Sequence, residues 1–97
     1  MTVFAVRYTY DDRSTRREEI RPDHRIFLAG LHRSGSLLAS GPLSDDDNGT
    51  PGALLIVAAT SFEAAAALLD DDPFARAGLI GAREIRIWTQ VYGPWTD

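Results

Sequence analysis

Two side chains in this sequence have the right chemistry and surroundings to move a proton. His24 closes the segment Arg21-Pro22-Asp23-His24, and Asp72 opens Asp72-Pro73-Phe74. A histidine titrates near neutral pH, and a carboxylate behind it can fix its tautomer and stabilise its cation. The chain has only two histidines and no cysteine, so it has few other routes to proton chemistry. His24 sits on an apolar helical face one turn before Leu28. It reads as a general acid or base at a pocket mouth, or as a buried histidine bonded to a main-chain carbonyl. Asp72 before Pro73 has the form of a helix N-cap, a role that needs no catalytic purpose.

Other residues are candidates for holding a substrate. Arg21 carries a planar fork suited to a carboxylate, or it pairs with Glu18 or Asp23 at the surface. Ala39-Ser40-Gly41-Pro42 reads as a turn or bulge where a strand leaves its sheet, with a pocket wall as the alternative. Ser40 could make a polar contact but has no base beside it in sequence, so it is not read as a nucleophile. His32, followed by Arg33, reads as a solvated helix end. Trp88 and Tyr92 read as interface core ahead of ligand stacking. Asp45-Asp46-Asp47 reads as a solvated loop, without the alternating ligands and glycine of a calcium loop.

Composition narrows the classes. The 97 residues suit one domain, 1–97, and are 44% hydrophobic and 25% charged. Ten arginines against fourteen acids give a net charge of −4. The arginines are scattered, so nucleic acid is not an expected partner. The absence of lysine excludes Schiff-base chemistry, and the absence of cysteine excludes disulfides, zinc–thiolate sites and thiol nucleophiles. With neither a dinucleotide fingerprint nor a phosphate loop, no organic cofactor is implied, and no metal is expected. No apolar stretch approaches the ~20 residues that span a bilayer, so no membrane role is expected and the chain reads as soluble and cytoplasmic.

The positioning elements follow from periodicity. Val3–Tyr10 alternates as a strand, with Phe4, Val6 and Tyr8 on one side. Asp11–Thr15 is a polar turn. The first helix starts either near Ser14, with Pro22 kinking it, or at Pro22 itself, where a missing N–H costs nothing. His24, Phe27, Leu28 and Leu31 share its inner face, and Gly35 suits the left-handed position after it. Ser36–Ala39 is a short strand, Leu43–Gly52 an exposed hairpin loop, and Ala53–Ala59 a central strand covered on both faces. Thr60 caps an alanine-rich helix that buries Phe62, Ala66 and Leu69, with Glu63 completing a capping box. Pro73 begins a short turn through Ala77. Ala82–Tyr92 alternates as a long last strand. The order β-α-β-β-α-β predicts an α+β, ferredoxin-like antiparallel sheet with helices on one face. The opposite face needs a cover, and a second copy of the chain is the simplest one.

Nearly the whole chain resembles the YCII-related (YciI-like) family. The likeness rests on Phe4-Ala5-Val6-x-Tyr8, Arg21-x-x-His24 with Leu28 and Leu31, Leu38-Ala39-x-Gly41-Pro42-Leu43, Asp72-Pro73-Phe74-x-x-Ala77-Gly78-Leu79 and Glu84-Ile85-Arg86-x-Trp88. The chain differs in placing Pro22 between the arginine and the histidine. The resemblance implies a domain that pairs into a dimeric α/β barrel, with His24 and Asp72 as a catalytic dyad. It also implies relatives that degrade chlorinated aromatics, in a superfamily that includes muconolactone isomerases and monooxygenases.

The expectation is therefore a homodimeric enzyme that uses His24 and Asp72 for general acid/base chemistry on a small organic, cyclic or aromatic molecule. Isomerisation, HX elimination and hydrolysis all fit. Arg21, Ser40, Gly41, Pro42 and Phe74 would surround the substrate. The alternative is a non-catalytic dimeric domain that binds a small ligand or serves as an accessory to another protein.

Overall fold

The computed structural model describes residues 1–43 and 50–94. The acidic run Asp45–Asp47 and most of the expected hairpin loop lie outside the described residues. The elements in order are β1 (Thr2–Tyr10), α1 (Ser14–Arg33), β2 (Leu37–Leu43), β3 (Gly52–Ala59), α2 (Phe62–Asp70), α3 (Pro73–Arg76) and β4 (Ile80–Ile87). The strands form one antiparallel sheet in the order β2-β3-β1-β4, the ferredoxin-like arrangement, with the helices on one face.

Register decides which residues look at the helices. Phe4 pairs with Val57 and Ile87, Val6 with Leu55 and Ile85, and Tyr8 with Ala53 and Arg83. Directly paired residues share a face. Phe4, Val6, Tyr8, Leu55 and Val57 are therefore fully buried, together with Ala65 and Leu69 from α2. Phe27, Leu28 and Leu31 of α1 pack against this cluster. Gly52 lies opposite the start of this patch. A Cβ there would run into the Tyr8 carbonyl oxygen, so only glycine lets the two strands approach beside Tyr8.

Helix α1 settles the open question of its start: it runs unbroken from Ser14, with Pro22 inside it. Proline removes one helical hydrogen bond, to the Glu18 carbonyl. Glu18 and Pro22 are both exposed, so water can take that bond. Ser14 is the first helical residue, and the Arg13 side chain before it makes no cap bond. The first turn is held by Asp11, whose carboxylate accepts from the Arg13 N–H at 3.1 Å, while Arg17 donates to the Asp11 carbonyl. Arg17, Arg21, His24, Leu28 and Leu31 then follow one another at helical spacing along the inner face. At the far end Gly35 takes φ +87°, and the Ser36 N–H reaches back to the Leu31 carbonyl at 3.0 Å.

Four local expectations are corrected. Gly41 and Pro42 lie within β2, paired with Leu54 and Ala53, and the irregularity sits upstream between Leu37 and Ala39. Because β2 is an edge strand, its proline costs the ladder nothing. The cap of α2 is Ser61, not Thr60: Ser61 stays extended and its hydroxyl accepts the Ala64 N–H at 3.0 Å. Helix α2 buries Ala65 and Leu69, while Phe62 is 45% exposed and leans on Phe4. Strand β4 ends at Ile87, not Tyr92. Its partner β1 begins at Thr2, so after the Trp88 N–H bonds the Val3 carbonyl little strand remains to pair with.

Candidate functional site

Asp72 is held by the joint between α2 and α3. Its backbone N–H bonds the Leu69 carbonyl, Pro73 occupies the first position of α3, and the Asp72 side chain caps that turn. Oδ1 accepts the Phe74 N–H at 2.9 Å. The same oxygen accepts from Nδ1 of His24 at 2.8 Å. Oδ2 accepts the Tyr8 hydroxyl at 3.1 Å. The carboxylate is fully buried, yet both oxygens are engaged by donors. The cap and the histidine contact use one oxygen, and the other belongs to Tyr8.

Tyr8 follows from the alternation of β1, which turns it inward beneath α3. Burial, and then the neighbouring Asp72 charge, push its phenol well above the ordinary tyrosine range. Tyr8 is therefore a neutral donor to Asp72 at any ordinary pH. Tyr10 is pushed upward as well, by burial first and then by Asp72.

His24 is 7% exposed, and its ring stacks on Phe74 at 4.0 Å and 8°. A carboxylate only accepts, so in the neutral ring Nδ1 carries the proton and Nε2 keeps a free lone pair. His24 lines a cavity of about 480 Å³, within the usual range for small-molecule sites. Helix α1 contributes Arg21, His24, Arg25 and Leu28 to its wall. The sheet contributes Tyr10, Ser40, Gly41, Pro42, Ala53 and Leu55, and α3 contributes Phe74.

All five residues expected to surround a substrate line this cavity with His24. Asp72 stands behind the ring, away from the opening. Arg21 also makes the expected surface pair, with Glu18. Three participants were not read from the sequence. Tyr8 and Tyr10 carried a signal in their inward alternation, and Arg25 carried one in its spacing of four from Arg21. His32 departs from its reading as a merely solvated end: its Nδ1–H donates to the Leu37 carbonyl at 2.9 Å and ties α1 to β2. It lines an adjoining hollow of about 390 Å³. Trp88 and Tyr92 are not among the residues lining the His24 cavity. Among the described residues, no three His, Asp or Glu side chains converge as a metal site, and no helix is long and apolar enough to cross a membrane.

A model of the YCII-related domain matches residues 1–89, and the chain belongs to that family. The chain is similar to 5-chloro-2-hydroxyhydroquinone dehydrochlorinase from Burkholderia phenoliruptrix, solved with 2,5-dihydroxybenzoquinone, with 24% identity, a TM-score of 0.77, and coverage of 90% of this chain and 93% of the other. It is also similar to SnoaB, a cofactor-independent oxygenase from Streptomyces nogalater, with 18% identity, a TM-score of 0.54, and coverage of 98% and 97%. A NIPSNAP family protein from Agrobacterium tumefaciens matches with 18% identity, a TM-score of 0.56, and 97% of each chain covered. These similarities show the fold. No curated protein matches the sequence.

Proposed function

We propose that this protein is a small-molecule enzyme in which Nε2 of His24 is the general base. The observation that carries the reading is one contact in its setting: Nδ1 of His24 lies 2.8 Å from the buried Asp72 carboxylate, and the same ring lines a cavity. This arrangement favours an enzyme over a ligand-binding or accessory module, for which a histidine packed onto main-chain carbonyls would serve as well.

The step is proton abstraction. Nε2 takes a proton from a C–H or O–H of a bound cyclic or aromatic molecule, and the electron pair left behind enters the adjacent unsaturated system. In an HX elimination, a halide departs with its own bonding pair. In an isomerisation, Nε2–H returns the proton to a different carbon. Asp72 holds the tautomer and balances the imidazolium formed between the two events. Elimination and isomerisation use the base directly, whereas hydrolysis would also require a positioned water. Phe74 and Tyr10 supply flat walls for a ring. The dehydrochlorination named for the structural neighbour is the first reaction to try.

The test is chloride release from 5-chloro-2-hydroxyhydroquinone and related chlorinated hydroquinones. His24→Ala should lower the rate on the order of 10²-fold or more while leaving the protein folded. A substrate that this variant turns over at the wild-type rate would remove His24 from the mechanism.

We further propose that the chain works as a homodimer that covers the outer face of the sheet. That face presents Val3, Ala5, Leu54, Ile56 and Ala58, and Leu54 is 40% exposed. A stable pair should bury roughly 2,000 Å² or more in total. Light scattering at micromolar concentration should give twice the chain mass, and a monomer would contradict the pairing.

A further inference from the structure

We infer that the His24 cavity takes a flat carboxylate and that Arg25 is the residue that docks it, an assignment that deepens the enzyme reading above and rests on it. The wall formed by α1 places two guanidiniums beside the histidine, and no carboxylate side chain lines the cavity. Asp72 lies behind His24, fully buried, with both of its oxygens engaged. A chain with more acids than bases has therefore collected its own positive charge at this opening.

The two arginines are not equivalent. Arg21 is paired with Glu18 one turn earlier. Arg13, Arg16 and Arg17 also have carboxylate partners, in Asp11 and Glu19. Among the described residues Arg25 has no hydrogen-bond or ion-pair partner, although Asp23 and other acids lie nearby in sequence. Arg7, Arg33 and Arg86 also lack one, but none of the three lines this cavity, and Arg33 sits in the last turn of α1, where the carbonyl end of the helix attracts a cation. Arg25 has no such local role. Its five donors are available at the cavity, in the fork geometry that matches a carboxylate.

The remaining wall sets the shape of the ligand. Tyr10 and Phe74 meet edge to face at 5.4 Å, and Leu28, Pro42, Ala53 and Leu55 complete an apolar slot with Ser40 as its neutral polar group. A flat, unsaturated frame fits such a slot. With its carboxylate on Arg25, the frame lies beside Nε2 of His24, one residue earlier on the same helix. If the carboxylate is conjugated to the carbon that loses the proton, the developing charge flows toward the guanidinium, where a fixed cation stabilises it.

The test uses benzoate and its neutral counterpart benzamide, titrated into the full chain and followed by NMR. Benzoate should bind about tenfold or more tightly than benzamide, the worth of a charge-assisted pair. Its addition should shift the ring signals of His24, Phe74 and Tyr10. Arg25→Gln should bring benzoate down to the benzamide level and leave benzamide unchanged. Because Arg25 is exposed and glutamine suits a helix, this variant keeps the fold. Arg25→Gln leaves His24 and its bond to Asp72 in place, so a loss of benzoate binding in this variant reads docking and not proton transfer. Equal binding of the two probes, no binding of either, or undiminished benzoate binding by Arg25→Gln would overturn the assignment without touching the base reading. The base reading is tested separately, by the rate of chloride release from His24→Ala, and stands or falls without the benzoate result.

Discussion

The two histidines of α1 lie two turns apart, and each donates from Nδ1 to an oxygen, yet they are not equivalent. His32 donates to the main-chain carbonyl of Leu37 at an exposed corner. His24 donates to a buried carboxylate that is itself held by Phe74 and Tyr8. Both contacts fix the same tautomer. Only the carboxylate brings a full negative charge to balance an imidazolium, and only His24 has an aromatic ring stacked beneath it to set its plane. A fixed tautomer is therefore not what distinguishes a candidate base. The group behind the ring and the space in front of it make the difference.

The largest expected effect separates the two histidines directly. His24→Ala should lower turnover on the order of 10²-fold or more, and His32→Ala should leave it at the wild-type level. Losing the His32 bond should cost stability only, about 0.5–1.5 kcal/mol. Equal losses of activity in the two variants, measured on the same substrate, would erase the contrast.

The next effect gives His24 a neutral partner like that of His32. Asp72→Asn keeps an acceptor for the Phe74 N–H, so the cap should lose only a few tenths to about 1 kcal/mol. Turnover should fall far more than stability, because the amide has no charge for the imidazolium and can favour the wrong tautomer. If Asp72→Asn keeps full activity on a substrate that needs His24, Asp72 is a cap and nothing more.

Tyr8 sharpens the comparison, since nothing at His32 corresponds to it. Tyr8→Phe leaves Oδ2 of a buried carboxylate without its donor, a loss of about 1–3 kcal/mol. Thermal unfolding should fall by about 4 °C or more in a domain of this size. The pH dependence has a definite sign. Because the folded-state phenol is raised, its contribution is fully present below the ordinary tyrosine pKa of about 10 and is lost as pH rises through the folded value. Wild type should therefore lose stability more steeply than Tyr8→Phe in alkaline unfolding. Parallel curves would mean that Tyr8 is not buried against Asp72.

The smallest effect lies at the start of α1, away from both histidines. Desolvation works against the Asp11 charge, but hydrogen bonds from Arg13 and the charges of Arg13 and Arg17 outweigh it, so its pKa lies below the usual carboxylate value. The stability it lends is present above about pH 3.9, the unfolded carboxylate value, and is lost as pH falls through the lower folded value. Asp11→Asn should flatten the acid limb slightly, and activity should not change. A fall in activity would show that the helix start aims His24.

Much of the fold was legible because its signals are local. Alternation in Val3–Tyr10 placed Phe4, Val6 and Tyr8 inward, helical spacing put His24 with Leu28 and Leu31, and Asp72 before Pro73 announced a cap. The misreadings fell where tertiary partners decide. Strand β4 stops at Ile87 because β1 offers it little more to pair with, and Gly41-Pro42 stays in a strand because β2 lies at the sheet edge. Pro22 persists inside α1 because the inner face is held on both sides of the proline, by buried Arg17 before it and by His24, Phe27, Leu28 and Leu31 after it. The bond from Tyr8 to Asp72 spans 64 residues, and no local pattern announces it. Arg25 was passed over because an exposed arginine on a helix looks like any other until a cavity is seen beside it.

The most direct test of the central claim is the tautomer of His24, read from the nitrogen chemical shifts of its ring at mildly alkaline pH. The structure predicts that wild-type His24 holds its proton on Nδ1 with Nε2 bare, and that Asp72→Asn loses this preference while His32 keeps its own. A wild-type ring protonated on Nε2, or an Asp72→Asn ring indistinguishable from wild type, would contradict a base held by Asp72.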